Sequence, residues 1–597
     1  MQPRMTPIAK ILNPASDDPV SQALRASAKR LGGVAIFSGV VNLLMLAGPL
    51  YMLQVYDRVI PSRSVATLLG LSAIILAVYL FQGFFDALRM RMLARIGSLF
   101  DAALQEPIHF ALATLPLRGV GTALLQQPLR DLDQIRIFLS GLGPTALLDT
   151  PWIPIFVVML FLFHPVIGIT GVVGATAIIA VALLAERLSA DASRNLMESS
   201  ARRQVSADAT RRNADAIRAL GMSERFAARW LRANEGFLRE NLRVMDLYAN
   251  LGAWAKVMRY ALQSAMLGVG AYLVVNEQAS GGIIIASSIM LGRALAPIEV
   301  ALGTWKQFVA ARQSIRRLGE VLKAVRPQAA PAITLAPPER ELSATSLAVA
   351  APGSERLILA NVSFSLRAGT GLAILGPSAS GKSSLAKALV GVWPAFTGIV
   401  RLDGAAIDQW HPDELGRHIG YLPQEVSLFE GSVAENIARL DESARPEAVL
   451  QAARIAGAHE MIVRLPEGYS TRVGEGGMLL SAGQRQRIGL ARALFGDPFL
   501  IVLDEPNANL DAEGENALMR AIETLRDAGR IVVVVSHRPN VLAVLNMTLV
   551  LYDGGVVAFG PRDEILARAG HSGGTQPLLA KVAADAPVSR AARGGRP

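Results

Sequence analysis

Long uncharged hydrophobic runs dominate the first half of this 597-residue chain. Residues 31–56 and 65–85 contain no Asp, Glu, Lys or Arg, and residues 150–185 are uncharged apart from His164. The third run is divided at His164–Pro165, and each piece approaches the roughly 20 residues that cross about 30 Å of hydrocarbon. These runs predict four transmembrane helices.

Two weaker hydrophobic runs, residues 260–275 and 281–300, are separated by the turn-like sequence NEQASGG. They bring the predicted number of crossings to six. The alternative is a set of buried helices in a large soluble core, which are seldom so long and so free of charge. Ionisable residues at or within the spans, Asp149, Arg293 and Glu299, are expected to face a cavity or a partner.

The second half of the chain has a different pattern. The sequence RPQAAPAITLAPPERE contains four prolines and is typical of a semi-rigid linker, and short β-branched runs then alternate with helical segments as in an α/β domain. The last residues are rich in Gly, Ala, Pro and Arg, which predicts disorder. The predicted divisions are an N-terminal cytoplasmic segment (1–30), a transmembrane domain (31–325), a linker (326–340), an α/β domain (341–570) and a disordered tail (571–597).

Composition and charge agree with a membrane protein. Hydrophobic residues make up 51% of the chain and charged residues only 18%, and the formal net charge is +10. Arginines cluster before the first span, between the second and third, and after the fourth, so these segments and both termini are predicted to face the cytoplasm. This placement accounts for most of the positive charge and weakens a nucleic-acid interpretation. There is no cysteine, which excludes disulfides, thiolate metal sites and cysteine nucleophiles.

A glycine-rich segment, GPSASGKS at Gly376–Ser383, fits the phosphate-binding P-loop (Walker A) pattern G-x-x-x-x-G-K-S. It follows a strand-like run, GLAILG, and opens a helix-like one, SSLAKALVGVW. Its glycines let backbone N–H groups converge on phosphate oxygens at a helix N-terminus. Lys382 is expected to reach the β- and γ-phosphates of ATP, and the Ser383 hydroxyl to bind Mg²⁺. The nucleotide-binding residues predicted here are Gly376, Pro377, Ser378, Ala379, Ser380, Gly381, Lys382, Ser383 and Ser384.

A second apolar run, FLIVLDE at Phe499–Glu505, ends in two carboxylates. This pattern predicts a buried parallel strand. At its end Asp504 is expected to bind Mg²⁺, and Glu505 is expected to act as general base on the attacking water. The run IVVVVSH ends in the same way at His537, which suits a contact with the γ-phosphate. A histidine at a strand end is by itself more often structural, but the neighbouring elements favour the functional role. Glu505, His537 and Lys382 are the predicted catalytic residues.

With these motifs the chain resembles the ABC transporters, and LSAGQ resembles their signature motif, usually written LSGGQ. In this family the signature closes over ATP held by a partner subunit. The resemblance therefore implies a homodimer in which Ser481, Gly483 and Gln484 serve the other copy's phosphates. The sequence departs from the family at Ala482, where a helix-start position can often accept the extra methyl group.

The remaining family elements follow in order. YLPQEVSLFEGSVAENI contains Gln424, expected to sense Mg²⁺, so Ser383, Gln424 and Asp504 form the predicted metal set. TRVGEGG resembles the segment typical of exporters, with Glu475, and NANLD supplies a D-loop ending at Asp511. The implied fold is an α-helical membrane domain with six transmembrane helices, of the ABC exporter type I fold, fused to an α/β P-loop nucleotide-binding domain.

Four stretches of the membrane half resemble the type I secretion branch, which exports proteases, lipases and haem-binding proteins from Gram-negative bacteria; they read MLQVYDRVIPSRSVATL, LLDTPWIPIFVVMLFLFHPVIG, RNADAIRALGM and ASSIMLGRALAPIEVALGTWKQFVAAR. This resemblance implies a multi-pass protein of the bacterial inner membrane that exports unfolded polypeptides bearing a C-terminal signal. It also implies a periplasmic membrane-fusion (adaptor) protein and an outer-membrane channel as partners, in contact with the lipid bilayer and without nucleic acid.

Three alternatives are less well supported by the sequence. An ABC transporter of the same architecture can move lipids or small drugs, but the four sequence stretches of the membrane half favour polypeptides as the cargo. A DNA-associated ABC ATPase lacks six spans, so fractionation of the protein into the membrane would exclude this alternative. A non-catalytic subunit is disfavoured because Lys382, Glu505 and His537 are all present.

The aromatic residue that many ABC proteins place ahead of the P-loop to stack on adenine is missing, and Ala351 lies at about that position. Base–aromatic stacking is worth about 1–3 kcal/mol. We therefore expect weak or poorly base-selective nucleotide binding, unless Arg356 or Leu357 substitutes. Parallel measurements of ATP and GTP affinity check this, and a strong preference for adenine would contradict it.

Overall fold

The structure is a computed structural model that describes residues 18–119, 127–325, 335–354, 356–536 and 538–569. Contacts divide the chain into two compact units: Met1–Pro116 with Val120–Pro327, and Leu117–Gly119 with Gln328–Pro597. The predicted tail 571–597, most of the predicted linker 326–340 and His537 lie outside the described residues.

The first unit is helical throughout the described residues. Four of its helices have more than 40 residues, so at 1.5 Å per residue each is over about 60 Å long and extends well beyond a hydrocarbon layer of about 30 Å. The helices are α1 (Pro19–Met45), α2 (Ala47–Gln54), α3 (Ile60–Ser62), α4 (Val65–Thr114), α5 (Gln127–Ser140), α6 (Gly143–Asp149), α7 (Ile153–Phe163), α8 (Pro165–Arg212), α9 (Ala214–Ala219), α10 (Ser223–Val275) and α11 (Gly281–Ala324).

Four helical segments of the described residues are long and apolar enough to cross a membrane: Pro19–Ser62, Val65–Arg118, Gly143–Phe163 and Gly281–Ala324. Pro165–Val181 is a shorter apolar segment. The membrane character of this half agrees with its hydropathy, while the number of six crossings stays a prediction.

The predicted break at His164–Pro165 lies between α7 and α8. His164 is extended, with φ −166° and ψ 141°, and its Nδ1 accepts a hydrogen bond from the backbone N–H of Val166 at 3.2 Å. Pro165 is the first residue of α8, where its missing N–H costs nothing. The proline thus ends one helix and starts the next.

Ionisable groups near or within the spans have partners. Asp149 accepts hydrogen bonds from Arg89 at 3.0 Å and from the amide of Asn42 at 2.8 Å, which joins α6 to α4 and α1. Glu299 of α11 forms an ion pair with Arg259 of α10 at 2.9 Å. Both pairs agree with the expectation that charges in spans face a partner. Arg293 is half-buried and has no ion pair with any described residue.

The second unit is an α/β domain, as predicted, with two sheets. Its strands are β1 (Glu341–Ala350), β2 (Leu357–Arg367), β3 (Gly371–Leu375), β4 (Thr397–Leu402), β5 (Ala405–Ala406), β6 (Ile419–Leu422), β7 (Leu500–Asp504), β8 (Ile531–Val535), β9 (Met547–Tyr552) and β10 (Gly555–Pro561). Its helices are α12 (Lys382–Leu389), α13 (Pro412–His418), α14 (Val433–Ile437), α15 (Pro446–Ile455), α16 (His459–Val463), α17 (Ala482–Leu494), α18 (Ala512–Asp527), α19 (Pro539–Ala543) and α20 (Arg562–Ala569).

The larger sheet positions the candidate site. Its order is β10-β9-β3-β8-β7-β6, with β10 antiparallel to β9 and the other neighbours parallel. Every residue of β3, β7 and β8 is buried, which confirms the prediction of buried parallel strands. Because these strands are parallel, their carboxyl ends lie at one edge of the sheet, and the segments that follow them converge there.

Candidate nucleotide-binding site

The P-loop connects the carboxyl end of β3 to the first turn of α12. Gly376 has a φ of 157°, and a Cβ built on it would lie 2.3 Å from the carbonyl oxygen of Leu551 and 2.6 Å from Ser380 Oγ. Gly381 has a φ of 96° and is the N-cap of α12. Only glycine suits both positions, because one lacks room for a side chain and the other has left-handed backbone geometry. Ala379 has a φ of 65°, so the loop also holds one non-glycine residue in an unfavourable conformation.

Lys382 points back into this loop. Its Nζ donates hydrogen bonds to the carbonyl oxygens of Gly376 at 3.0 Å and Pro377 at 2.8 Å. Burial lowers the pKa of Lys382, while the nearby carboxylates of Glu505 and Asp504 partly oppose this by favouring the charged form. The loop therefore carries a cation whose desolvation favours pairing with an anion.

Ser380 gives independent support for an anion at this loop. The residue is 2% exposed, and its Oγ has no hydrogen-bond partner among the described residues. A buried hydroxyl without a partner costs about 1–3 kcal/mol, which a phosphate oxygen would relieve. The loop thus fits the phosphates of a nucleotide by its glycines, its helix N-terminus, its lysine and this hydroxyl.

Two predicted metal ligands lie side by side. Ser383 Oγ donates a hydrogen bond to Asp504 Oδ1 at 3.2 Å, joining the start of α12 to the end of β7. Burial raises the pKa of Asp504, and the hydrogen bond from Ser383 opposes this shift. An adjacent hydroxyl and buried carboxylate form a hard oxygen pair of the kind that holds Mg²⁺ together with phosphate oxygens.

Glu505 follows Asp504 in left-handed backbone geometry, with a φ of 50°. Its backbone N–H donates to the carbonyl oxygen of Val535 at 2.9 Å, which fixes the residue beside the end of β8. Gln424 Nε2 donates to Glu505 Oε2 at 3.1 Å, so the predicted sensor glutamine and the predicted base meet. The strained conformation of Glu505 is of the kind that functional sites retain. The third predicted catalytic residue, His537, lies outside the described residues.

The signature residues begin helix α17. Ser481 and Gln484 form a reciprocal capping box, with N–H to side-chain distances of 3.2 and 2.8 Å. A Cβ on Gly483 would lie 2.8 Å from the carbonyl oxygen of Asn509, so this glycine allows close contact with the D-loop. Ala482 is the first helical residue and is exposed, and its backbone φ is not left-handed. The extra methyl group therefore needs no backbone rearrangement.

The signature residues line a cleft of about 880 Å³ together with Arg487, Asp511 and other residues of α15–α18. Among the described residues, no hydrogen bond or ion pair joins Ser481, Gly483 or Gln484 to the P-loop. The structure thus brings Lys382, Ser383, Gln424, Asp504 and Glu505 together and leaves the signature in a different cleft of the same unit.

Two residues of α17 were missed by the sequence analysis. Gln486 is 2% exposed and donates to the carbonyl oxygen of Pro506 at 3.0 Å. Arg487 donates to Asp511 Oδ1 at 2.5 Å, and Asp511 also caps α18 by accepting from Gly514 N at 2.9 Å. The backbone hydrogen bond from Gly514 and the bond from Arg487 lower the pKa of Asp511. In the sequence, the one indication that Gln486 and Arg487 belong to the site was their position directly after LSAGQ.

The segment in which many ABC proteins carry an aromatic residue that stacks on adenine follows β1 in this chain. Ala351 is half-buried in a turn after this strand, and Leu357, the first residue of β2, is 45% exposed. Leu357 offers an apolar surface but no ring to stack on adenine.

Comparisons with known proteins also indicate an ABC transporter. The family model "ABC transporter transmembrane region" matches residues 31–294, and the model "ABC transporter" matches residues 359–508. The chain is 50% identical over 553 residues to the type I secretion system ATP-binding protein PrsD of Rhizobium meliloti, which covers 92% of this chain and 94% of that protein.

The chain belongs to the ABC transporters of type I secretion systems.

Other relatives agree with this family. The cyclolysin secretion/processing ATP-binding protein CyaB of Bordetella pertussis is 30% identical, covering 90% of this chain and 76% of that protein. The alpha-hemolysin translocation ATP-binding protein HlyB of Escherichia coli O157:H7 is 28% identical, covering 90% and 76%. A solved bacterial Atm1-family ABC exporter with ATP bound has a TM-score of 0.79 at 21% identity, covering 95% of this chain and 99% of that one, which shows the exporter fold.

As a type I secretion ABC transporter, the protein binds ATP and couples its hydrolysis to transport. The resemblance noted in the sequence is thereby confirmed at the level of family, fold and activity. The roles of individual site residues stay predictions.

Ser380→Ala tests the phosphate cradle of this transporter. Because the buried hydroxyl has no partner among the described residues, its removal relieves an unfavourable burial, and the variant should unfold at or above the wild-type temperature without nucleotide. It should bind ATP at least about tenfold more weakly, since a hydrogen bond to a charged group is worth about 1.5–3 kcal/mol. Nucleotide titration and thermal unfolding measure the two effects. Ser365→Ala, on the exposed face of β2, is the control. Unchanged ATP affinity in Ser380→Ala would rule out this contact.

Proposed function

We propose that the protein works as a homodimer in which each ATP lies between the P-loop of one subunit and the signature of the other. The observation that supports this most directly is the separation within one chain. The P-loop, Asp504, Glu505 and Gln424 form one cluster, while the hydrogen bonds and close approach of Ser481, Gly483 and Gln484 found among the described residues are to their own helix and the D-loop. One chain therefore supplies two half-sites, and a second copy would complete both.

The residues of the cluster have separate roles in ATP hydrolysis. Lys382, Ser380 and the loop N–H groups hold the β- and γ-phosphates and offset their charge. Ser383, Asp504 and Gln424 would hold Mg²⁺, which when bound would supply positive charge to offset the charge that develops on the phosphates. Glu505 positions the attacking water and accepts its proton. His537, by its place after β8, is assigned the γ-phosphate contact.

The transported substrate is an unfolded polypeptide with a C-terminal signal, moved across the bacterial inner membrane. The relatives' names include secretion and translocation of cyclolysin and alpha-hemolysin, which supports a polypeptide cargo over a lipid or drug. A periplasmic adaptor and an outer-membrane channel complete the path. The arginine-rich segments place the nucleotide-binding domain and both termini in the cytoplasm.

The role of Glu505 can be tested with Glu505→Gln. The amide cannot accept the proton of the attacking water, so ATP hydrolysis should fall by at least about 100-fold, the usual contribution of a general base. Because the phosphate contacts remain, ATP should stay bound, which rapid gel filtration with labelled ATP measures. Glu523→Gln, exposed on α18, is the matched control. Wild-type turnover in Glu505→Gln would contradict the assignment.

The shared sites can be tested with dimers that contain two differently tagged subunits, all in the Glu505→Gln background. In one preparation Lys382→Ala and Ser481→Arg lie in opposite subunits, and in the other they lie in the same subunit. If each site is shared, only the opposite arrangement keeps one intact site, and it should retain ATP while the other does not. Both preparations carry the same substitutions, so any cost in folding is matched. Retention only in the same-subunit arrangement would mean that each chain forms its own site.

A further inference from the structure

A cavity of about 480 Å³ lies between α10 and α11 of the helical unit, and none of its lining residues belongs to the predicted ATP site. Its charged lining consists of three cations, Lys256, Arg259 and Lys306, and one carboxylate, Glu299. Arg259 and Glu299 form the ion pair at 2.9 Å described above. The two lysines are exposed and have no ion pair with any described residue, so the lining has an excess of two positive charges.

One further polar group in this cavity has no partner. The Oη of Tyr248 is buried, and it makes no hydrogen bond to the described part of the chain. The remaining lining is apolar and includes Met245, Leu251 and Leu302. A hydroxyl donor and two ammonium groups without ion pairs among the described residues, in the wall of an otherwise apolar cavity, match a ligand with an anionic head and an apolar body.

The position of the cavity along the helices further limits which class of ligand it can bind. Residues 260–275 of α10 and 281–292 of α11 carry no charged side chain. Lys256 and Arg259 lie within about one turn before the first of these runs, and Lys306 follows the second by 14 residues, on the part of α11 that leads to the nucleotide-binding domain. The cavity therefore lies where an uncharged span meets a charged helix extension, which is the depth of lipid headgroups.

We propose that this cavity binds the headgroup phosphate of an anionic phospholipid from the cytoplasmic leaflet. Lys256, Lys306 and Tyr248 contact the phosphate oxygens, Glu299 holds Arg259 in place, and the apolar wall receives the upper acyl chain. The leaflet follows from the orientation given under the proposed function; the cavity and its charges do not depend on it.

The test measures lipid retention by the purified full-length protein, using native mass spectrometry with phosphatidylglycerol or phosphatidylcholine added. Wild type should retain phosphatidylglycerol in preference to phosphatidylcholine. Lys256→Gln with Lys306→Gln should weaken phosphatidylglycerol binding about 25-fold, or about fivefold for each cation lost near a membrane surface. The control, Arg312→Gln with Arg316→Gln, makes the same change in net charge on the exposed surface of α11 outside the cavity and should bind as wild type does.

A second variant tests the cavity without a change in charge. Gly303 lines it, and a Cβ built there meets nothing within 4 Å, so Gly303→Leu can add a side chain to the cavity wall that would take up part of the space. Leucine is also the better helix former, so loss of folding is not expected. This variant should lose the preference for phosphatidylglycerol.

Three results would overturn the proposal. Unchanged phosphatidylglycerol retention in the double lysine variant and in Gly303→Leu would show that the lipid binds elsewhere. Competition by inorganic phosphate without any lipid preference would identify a site for free phosphate. A loss of secretion in these variants with normal lipid retention would assign the cavity to the exported polypeptide. Retention is measured without ATP or cargo, so its outcome is independent of the proposed function.

Discussion

The parallel packing of β3, β8 and β7 is the constraint on which the ATP site depends. The three strands are buried along their whole length and pair in continuous register, with Ile374 opposite Val535 and Val535 opposite Asp504. Their side chains are apolar until Asp504, so burial holds the strands in one alignment. Because the carboxyl ends share one edge, short segments after each strand suffice to bring the P-loop, Asp504 and Glu505 together. A shift of one strand by a single residue would separate Ser383 from Asp504.

The helical unit meets a related constraint, because charged side chains within long helices need partners where water is scarce. Arg89 is 7% exposed, and it binds Asp149 and Asp86, with distances of 3.0 and 2.6 Å. The link to Asp149 joins helices that are 60 residues apart in sequence. Removing one partner of such a pair leaves an uncompensated buried charge, so the pairs specify how the helices pack more than they add stability. The cavity beside Glu299 differs, because Lys256 and Lys306 have no ion pair within the described part of the chain.

The parts of the site that could be predicted are those whose geometry is local. The P-loop, its lysine and the Ser383–Asp504 pair follow from a strand, a short loop and a helix start, and the buried strands are recognisable from continuous apolar runs. The role of Gln424 was expected from the family resemblance alone, and its contact with Glu505 was not predicted. The contacts of Gln486 and Arg487 could not be predicted, because they depend on how α17 packs against a segment about 20 residues further along the chain. The pairing of Arg89 with Asp149 was out of reach for the same reason.

The contacts of α17 also explain how the signature can affect the P-loop site of its own chain, although the two lie in different clefts. Gln486 holds the carbonyl oxygen of Pro506, the residue after Glu505, and Arg487 holds Asp511 at the other end of the D-loop. Gly483 lies against Asn509 between them. The segment from Glu505 to Asp511 is therefore fastened to the signature helix at both ends and in the middle. When a partner's ATP closes on Ser481 in the proposed dimer, any displacement of α17 reaches the segment that begins with Glu505. Because neither α17 nor the D-loop can move alone without breaking the buried hydrogen bond between Gln486 and Pro506 or the exposed one between Arg487 and Asp511, the two sites of the proposed dimer would be mechanically coupled.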